Sequence, residues 1–340
     1  LYHTKLVWIR RKYNDIFREY SDRVESFGID EAWIDISHLA KNFQEAENIA
    51  NNIRSRIIAE IGLTVSIGVS FNKVFAKLGS DMKKPNATTT ITPQNFKSMV
   101  WNLPATDLLY VGKATAKKFE KAGIKTIGDI ANTSIKYLKL TLGKMGQVLY
   151  DFACGKDTSE VTSIFEHEKI KSFGNSTTCP IDLSNNDQVK SVIYMLAESV
   201  SERMKKKNCY ATCVALWVKD TNLKSFERQM VIGSPTNVSS DIASNAYKLF
   251  LDNYSWELDV RAVGVRVTNL SDGNIQYDMF DTGKKLEKEQ KLETTIENLR
   301  SRFGYNIIKR GNILENKALS TLNPHSEVHI IHPIGFFKAK

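Results

Sequence analysis

Cysteine is scarce in this chain. Four residues, Cys154, Cys179, Cys209 and Cys213, are spread irregularly through 340 positions. That is no disulfide framework, so a reducing cytoplasm is expected. Cys209 and Cys213 lie four apart but have no second ligand pair nearby. On a strand they would share one face, and zinc is not expected there. His325, His329 and His332 lack a fourth ligand and read as solvated histidines on a strand-like tail. No apolar run is long enough to span a bilayer, so no membrane partner is expected. Internal repeats and low-complexity runs are also missing. The chain opens at Leu1 rather than Met and shows no secretory signal, which suggests that an N-terminal portion is missing.

What is present fits two or three ordinary domains: 340 residues, 42% of them hydrophobic. The 47 basic residues outnumber 38 acidic ones, giving +9, a balance compatible with a polyanionic partner.

The most informative stretch is Gly28-Ile29-Asp30-Glu31-Ala32-Trp33-Ile34-Asp35-Ile36-Ser37. Two adjacent acids interrupt an apolar strand pattern, and desolvating them is costly without a cation or a basic neighbour. A Lys-rich strand-to-helix segment follows, from Thr64-Val65-Ser66-Ile67-Gly68-Val69-Ser70 through Asn72, Lys73 and Lys77 to Lys84-Pro85-Asn86. An acidic strand followed by such a segment fits phosphoryl-transfer chemistry with Mg²⁺.

Together these segments resemble the Y-family translesion DNA polymerases, the DinB and UmuC group also called ImpB/MucB/SamB. That family carries S-I-D-E-A-aromatic-aliphatic-D and then G-I/V-S-x-N-K-x-x-A-K-x-x-S/A-D-x-x-K-P. Here the first motif runs from Gly28 to Asp35 and the second from Gly68 to Pro85. The resemblance covers roughly residues 3–280. Lys- and Asn-rich usage leans toward a bacterial damage-response enzyme of the UvrX type.

Periodicity and the resemblance together imply an α+β fold in several parts. A partial palm built on the acidic hairpin occupies residues 1–92, with helices over Leu1–Tyr20, Phe43–Ile61 (closed by Gly62) and Asn72–Met82. Its strands are expected near Arg23–Phe27, Ala32–Ser37, Thr64–Ser70 and Thr88–Ile91. A helical thumb covers 93–158. Within it Asp107 to Ile124 looks like a helix-hairpin-helix, whose Val111, Gly112, Lys113 and Thr115 would face a DNA phosphate. Tyr110 stands where such motifs usually carry Gly, which predicts an imperfect turn. Leu142 to Gly146 reads as a weaker second copy. A linker at 159–168 leads to a split-βαβ little-finger domain at 169–280, in βαββαβ order. In its middle strand Val214, Leu216 and Val218 alternate with Ala211, Cys213, Ala215 and Trp217. Lys171 and Arg266 are its candidate duplex contacts, with Lys219, Lys224 and Arg228 beside them. Gln276, Met279 and Phe280 resemble the peptide that docks on a sliding clamp. A charged helix over Lys284–Phe303 and an irregular tail fill 281–340.

The resemblance also implies roles. Asp30 and Glu31 would be the catalytic metal ligands, holding two Mg²⁺ against the primer end. Lys84, Lys73 and Lys77 would bind the incoming dNTP, and Asp35 would be structural. The family's third carboxylate, in a D-x-D/N-x-F/Y-F/Y strand, and its fingers with their nucleotide-gripping Tyr and Arg have no match here. Three readings follow: an error-prone translesion polymerase lacking its N-terminus, acting in the SOS response; an inactive relative that binds primer-template DNA and the clamp; and a nucleotidyl cyclase, which explains neither the thumb nor the split-βαβ domain. A monomer is expected, with accessory subunits allowed.

Overall fold

A computed structural model describes residues 2–28, 30–163, 165–166, 170–272 and 282–324. The described residues fall into two compact units, 2–166 and 170–324.

In the first unit, α1 (Tyr2–Tyr20) leads into an antiparallel hairpin of β1 (Val24–Phe27) and β2 (Glu31–Ile34). Then come α2 (Phe43–Ile61), β3 (Ile67–Ser70), α3 (Lys73–Met82) and β4 (Thr88–Ile91). Local signals set the helix ends. Asn42 accepts from the Glu45 N–H to start α2, and Gly62 at φ 76° ends it. Asn72 caps α3 in the same way through the Phe75 N–H. Ala46, Ala50, Ile53 and Ile57 form the buried stripe of α2. β3 is shorter than the apolar run predicts, because pairing starts only where its parallel partner β4 does, at Ile67 opposite Thr88. Nor do the strands form one palm sheet. Among the described residues they make two separate two-stranded sheets, β1–β2 and β3–β4.

The chain then turns helical, with α4 (Phe96–Val100), α5 (Lys113–Lys121), α6 (Ile127–Asn132), α7 (Ile135–Leu142) and α8 (Lys144–Ala153). Val74, Phe75 and Leu78 of α3 share one core with Phe119, Ile127, Ile130 and Leu149. A boundary at residue 92 therefore runs close to a continuous core.

The second unit has β5 (Ser172–Leu183), α9 (Asn186–Lys206), β6 (Cys209–Asp220), β7 (Ser225–Thr236), α10 (Ser239–Asn253) and β8 (Val260–Asp272). The sheet order is β5-β8-β6-β7 with every ladder antiparallel, so β8 splits the β5–α9–β6 crossover. One expectation fails inside β6. Ala211 and Cys209 join the core with Val214, Leu216 and Val218, whereas Cys213 lies outside that cluster. The β6–β8 register skips Thr212 and Asn269, and Asn269 has φ 52°, so both strands change facing there. Cys209 and Cys213 thus do not share a face.

Residues 304–324, after the charged helix, are also more regular than the irregular tail expected there. α11 (Thr282–Phe303) is followed by α12 (Gly311–Leu314) and α13 (Lys317–Ser320). Ile313 and Leu319 are buried in the same core as the sheet.

Candidate active site

Asp30 lies exposed in the β1–β2 turn, made tight by Gly28 at φ 79°, and Glu31 opens β2 half-buried. The neighbouring α3 lies directly on β3 because neither carries a side chain at the contact. A Cβ on Gly68 would meet the Ala76 carbonyl oxygen at 1.9 Å, and Gly79 faces the Gly68 Cα. This close approach sets where the lysines of α3 project.

Lys77 Nζ donates to Glu31 Oε1 at 3.0 Å and to Asp81 Oδ2 at 2.7 Å, while Lys84 Nζ contacts Asp81 Oδ1 at 2.7 Å. Burial opposes the charge on Lys77, but its bonds to Asp81 and Glu31 win and raise its pKa. Burial likewise opposes the Asp81 carboxylate, and the two lysines outweigh it, holding its pKa below the usual range. Asp30, Glu31, Lys77 and Lys84 all line one cavity of about 890 Å³. Its apolar wall includes Ile34, Ile53, Ile57, Ile67 and Val69, so it runs between β2 and β3, whose facing edges carry no strand among the described residues.

Lys73 departs from the expectation. It is 6% exposed, and its ammonium donates to both Glu25 carboxylate oxygens at 2.7 Å and to the Glu160 carbonyl at 3.1 Å. It is an interior ion pair, and it is not among the residues lining the cavity. Glu25 also accepts from the Thr162 N–H, and Arg23 holds the Glu160 carboxylate. The start of the 159–168 segment is thereby fastened to β1. Asp35 accepts from the Ser37 N–H in a turn; although burial raises its pKa, that bond and Arg23 bring the net value down.

Two residues of this network escaped the sequence reading. Asp81 had a usable signal, its spacing of four from Lys77 and three to Lys84 on one helix face. Glu25 had none, since its partner is 48 positions away.

In the thumb, Tyr110 takes up the left-handed conformation itself, φ 71°, and the turn closes through the Val111 N–H on the Leu108 carbonyl. Gly112 then starts α5 with no side-chain cap, leaving the first N–H groups of Lys113 and its neighbours directed out of the helix end. Thr115 is half-buried in that first turn. In the second unit, Lys171 is exposed just before β5, and Arg266 of β8 reaches diagonally across β6 to pair with Glu227 of β7. Gln276, Met279 and Phe280 fall outside the described residues, as do His325, His329 and His332. Asp30 and Glu31 are joined by no further acid, His or Cys in a metal-holding group among the described residues.

Sequence profiles place this architecture. The impB/mucB/samB family matches residues 2–81, the DNA polymerase-iota thumb domain 106–157, and the impB/mucB/samB C-terminal domain 170–279. The DNA polymerase IV of Acetivibrio thermocellus is 46% identical over 309 residues, covering 90% of this chain and 77% of that protein. The chain belongs to the Y-family DNA polymerases. The DNA polymerase IV of Clostridium kluyveri is 33% identical, covering 88% of this chain and 76% of its own length. A solved Y-family polymerase chimera, Dbh-Dpo4(243-245)-Dbh, matches with a TM-score of 0.67 at 21% identity, covering 79% of this chain and 77% of its own. Membership in this polymerase family makes the chain's enzyme class that of a DNA-directed DNA polymerase. The curated relatives compared are DNA polymerases IV, which gives the UvrX lean no support. The family profiles end at 279, so α11 to α13 lie beyond the matched region.

Proposed function

We propose that this polymerase carries out error-prone, template-directed nucleotidyl transfer past DNA damage in the cytoplasm, within the SOS response, with the Asp30–Glu31 turn as its metal site. The observation that carries the reading is the shared cavity, where two carboxylates and two lysines face the same space. The donor set fits Mg²⁺, which keeps several waters and needs only one or two protein carboxylates when phosphates complete its shell. Asp30 is exposed in its turn, so it is available to such an ion. Bound there, a pair of Mg²⁺ would activate the primer hydroxyl and neutralise the leaving phosphates.

The protein's own residues do the rest. Asp30 and Glu31 fix the reacting end on the β-turn. Lys84 and Lys77 meet the β- and γ-phosphates of the dNTP as mobile point charges. The α5 N-terminus with Val111, Gly112, Lys113 and Thr115 holds a DNA phosphate, and Lys171 and Arg266 track the duplex backbone. Gln276, Met279 and Phe280 dock on the sliding clamp. The apolar slot between β2 and β3 accepts one more extended segment, which would join the two small sheets and bring a third carboxylate to Asp30 and Glu31.

Primer extension with Mg²⁺ and dNTPs, by a chain to which such a strand is added, tests the chemistry. Nucleotide addition is expected. No addition by that chain, despite intact DNA binding, would favour the second reading, an inactive relative that binds primer-template DNA and the clamp. The pairing of only two carboxylates among the described residues is what keeps that reading in play.

A further inference from the structure

The nucleotide-binding reading above rests on Lys77 and Lys84, and both converge on one residue behind them. We infer that Asp81 is the positioning residue of this site: it shares the charge of Lys77 with Glu31 and holds Lys84 at the cavity mouth for a triphosphate.

Asp81 stands in the last turn of α3, and its two oxygens divide the work. Oδ2 takes Lys77 and Oδ1 takes Lys84, each at 2.7 Å, while Lys77 reaches on to Glu31 at 3.0 Å. The result is a row of alternating charges, Glu31–Lys77–Asp81–Lys84. Glu31, Lys77 and Lys84 line the cavity, but Asp81 does not. Asp81 therefore touches no ligand in the cavity and acts through the two lysines.

The arrangement has two consequences. A lysine shared between two carboxylates holds each less tightly than it would hold one. Asp81 thus draws Lys77 away from Glu31 and leaves that carboxylate available to a divalent cation. Lys84 is 56% exposed at its side chain, and its flexible stem would otherwise sample many rotamers. Tethered to Asp81, it waits beside the cavity and needs only a short movement to reach a phosphate oxygen. A plain helix-surface pair would stabilise α3 a little and affect nothing in the cavity.

Calorimetric titration of the full chain separates the two roles. The probes are Ca²⁺ alone, and Ca²⁺ with dATP in the presence of primer-template DNA, so that binding is read without turnover. Asp81→Asn should weaken Ca²⁺·dATP binding about fivefold, the scale of one partly exposed ion pair. It should also weaken Ca²⁺ alone, with thermal unfolding little changed. Asp81→Glu should recover most of the affinity. In a Lys77→Met background Asp81→Asn should no longer affect Ca²⁺ alone, because the residue through which it acts is gone. Wild-type affinity in Asp81→Asn would overturn the inference and leave the nucleotide site standing. Equal losses in Asp81→Asn and Asp81→Glu, accompanied by a lower melting temperature, would also overturn it, in favour of a purely structural carboxylate. Failure of the unmodified chain to bind either probe would sink the nucleotide-site reading and this inference with it.

Discussion

Asp30 is exposed in the turn and Glu31 half-exposed at the start of β2, so replacing them should disturb chemistry far more than folding. In the polymerase, Asp30→Ala or Glu31→Ala is expected to cut nucleotide addition by about 10²-fold or more while leaving DNA affinity nearly intact. Gel-based extension beside an equilibrium DNA titration checks this, and a large loss of DNA affinity would make the pair structural. Asp129 makes a different residue-scale case. Its carboxylate accepts from the backbone N–H groups of Lys125 and Thr126, while the Thr126 hydroxyl accepts from the Asp129 N–H, a capping box at the start of α6. Those backbone bonds hold its pKa below the usual carboxylate range. The folded pKa is depressed, so the stabilisation is fully present above the unfolded value of about 3.9 and fades as pH falls through the lower folded value. Asp129→Ala should cost about 1 kcal/mol at pH 7. In chemical denaturation at successive pH values, the gap to wild type should close in acid; a gap independent of pH would assign the loss to packing. Burial pushes the Cys179 thiol up to about 12, which leaves it a poor nucleophile while the fold is intact.

The element that decides most is α3. Its seating on β3 depends on Gly68, where an added methyl group would collide with the Ala76 backbone. Backbone cannot rotate away as a side chain can, so α3 would have to shift and carry Lys77 and Lys84 with it. The same helix carries the buried Glu25–Lys73 pair, with side chains 15% and 7% exposed. Removing one partner strands the other charge in the interior, so Lys73→Ala should cost about 3–5 kcal/mol. Thermal and denaturant melts check this. A variant that unfolds like wild type yet loses dNTP affinity would return Lys73 to the triphosphate. The motif spacing brought Lys73, Lys77 and Lys84 together as one set. Only the position of β1 showed that the first belongs to the interior and fastens residues 160–162.

At the scale of the whole molecule, the excess of nine positive charges makes DNA affinity salt-dependent. If the α5 N-terminus holds a phosphate, Lys113→Ala should weaken binding to all sequences alike. It should also make the log affinity against log salt slope shallower by about 0.9. An unchanged slope would remove Lys113 from the interface. The second unit has its own integrating group. Glu293 of α11 accepts from the Ser239 N–H and hydroxyl at the start of α10, which has no side-chain cap of its own, and pairs with Lys205. Glu293→Ala should destabilise this unit by about 2–3 kcal/mol, because Lys205 and the end of α10 lose a partner together. Unfolding of the unit at wild-type denaturant concentration would mean that α11 is merely apposed.

The sequence by itself determined whatever depends on near neighbours: α2 between Asn42 and Gly62, α3 from Asn72, the βαββαβ order of the second unit, and the acidic turn followed by its lysine helix. Caps, glycines and periodicity act within a few residues, and so they can be read in one dimension. Tertiary structure decided where partners come from far away. It buried Lys73 against a strand 48 positions earlier, turned Ala211 inward at the Thr212–Asn269 break, folded residues 311–320 into the little-finger core, and, among the described residues, left no ladder between β2 and β3 along a shared cavity. A charge or an apolar face has no fixed fate in the chain, because its free energy depends on what the fold sets against it.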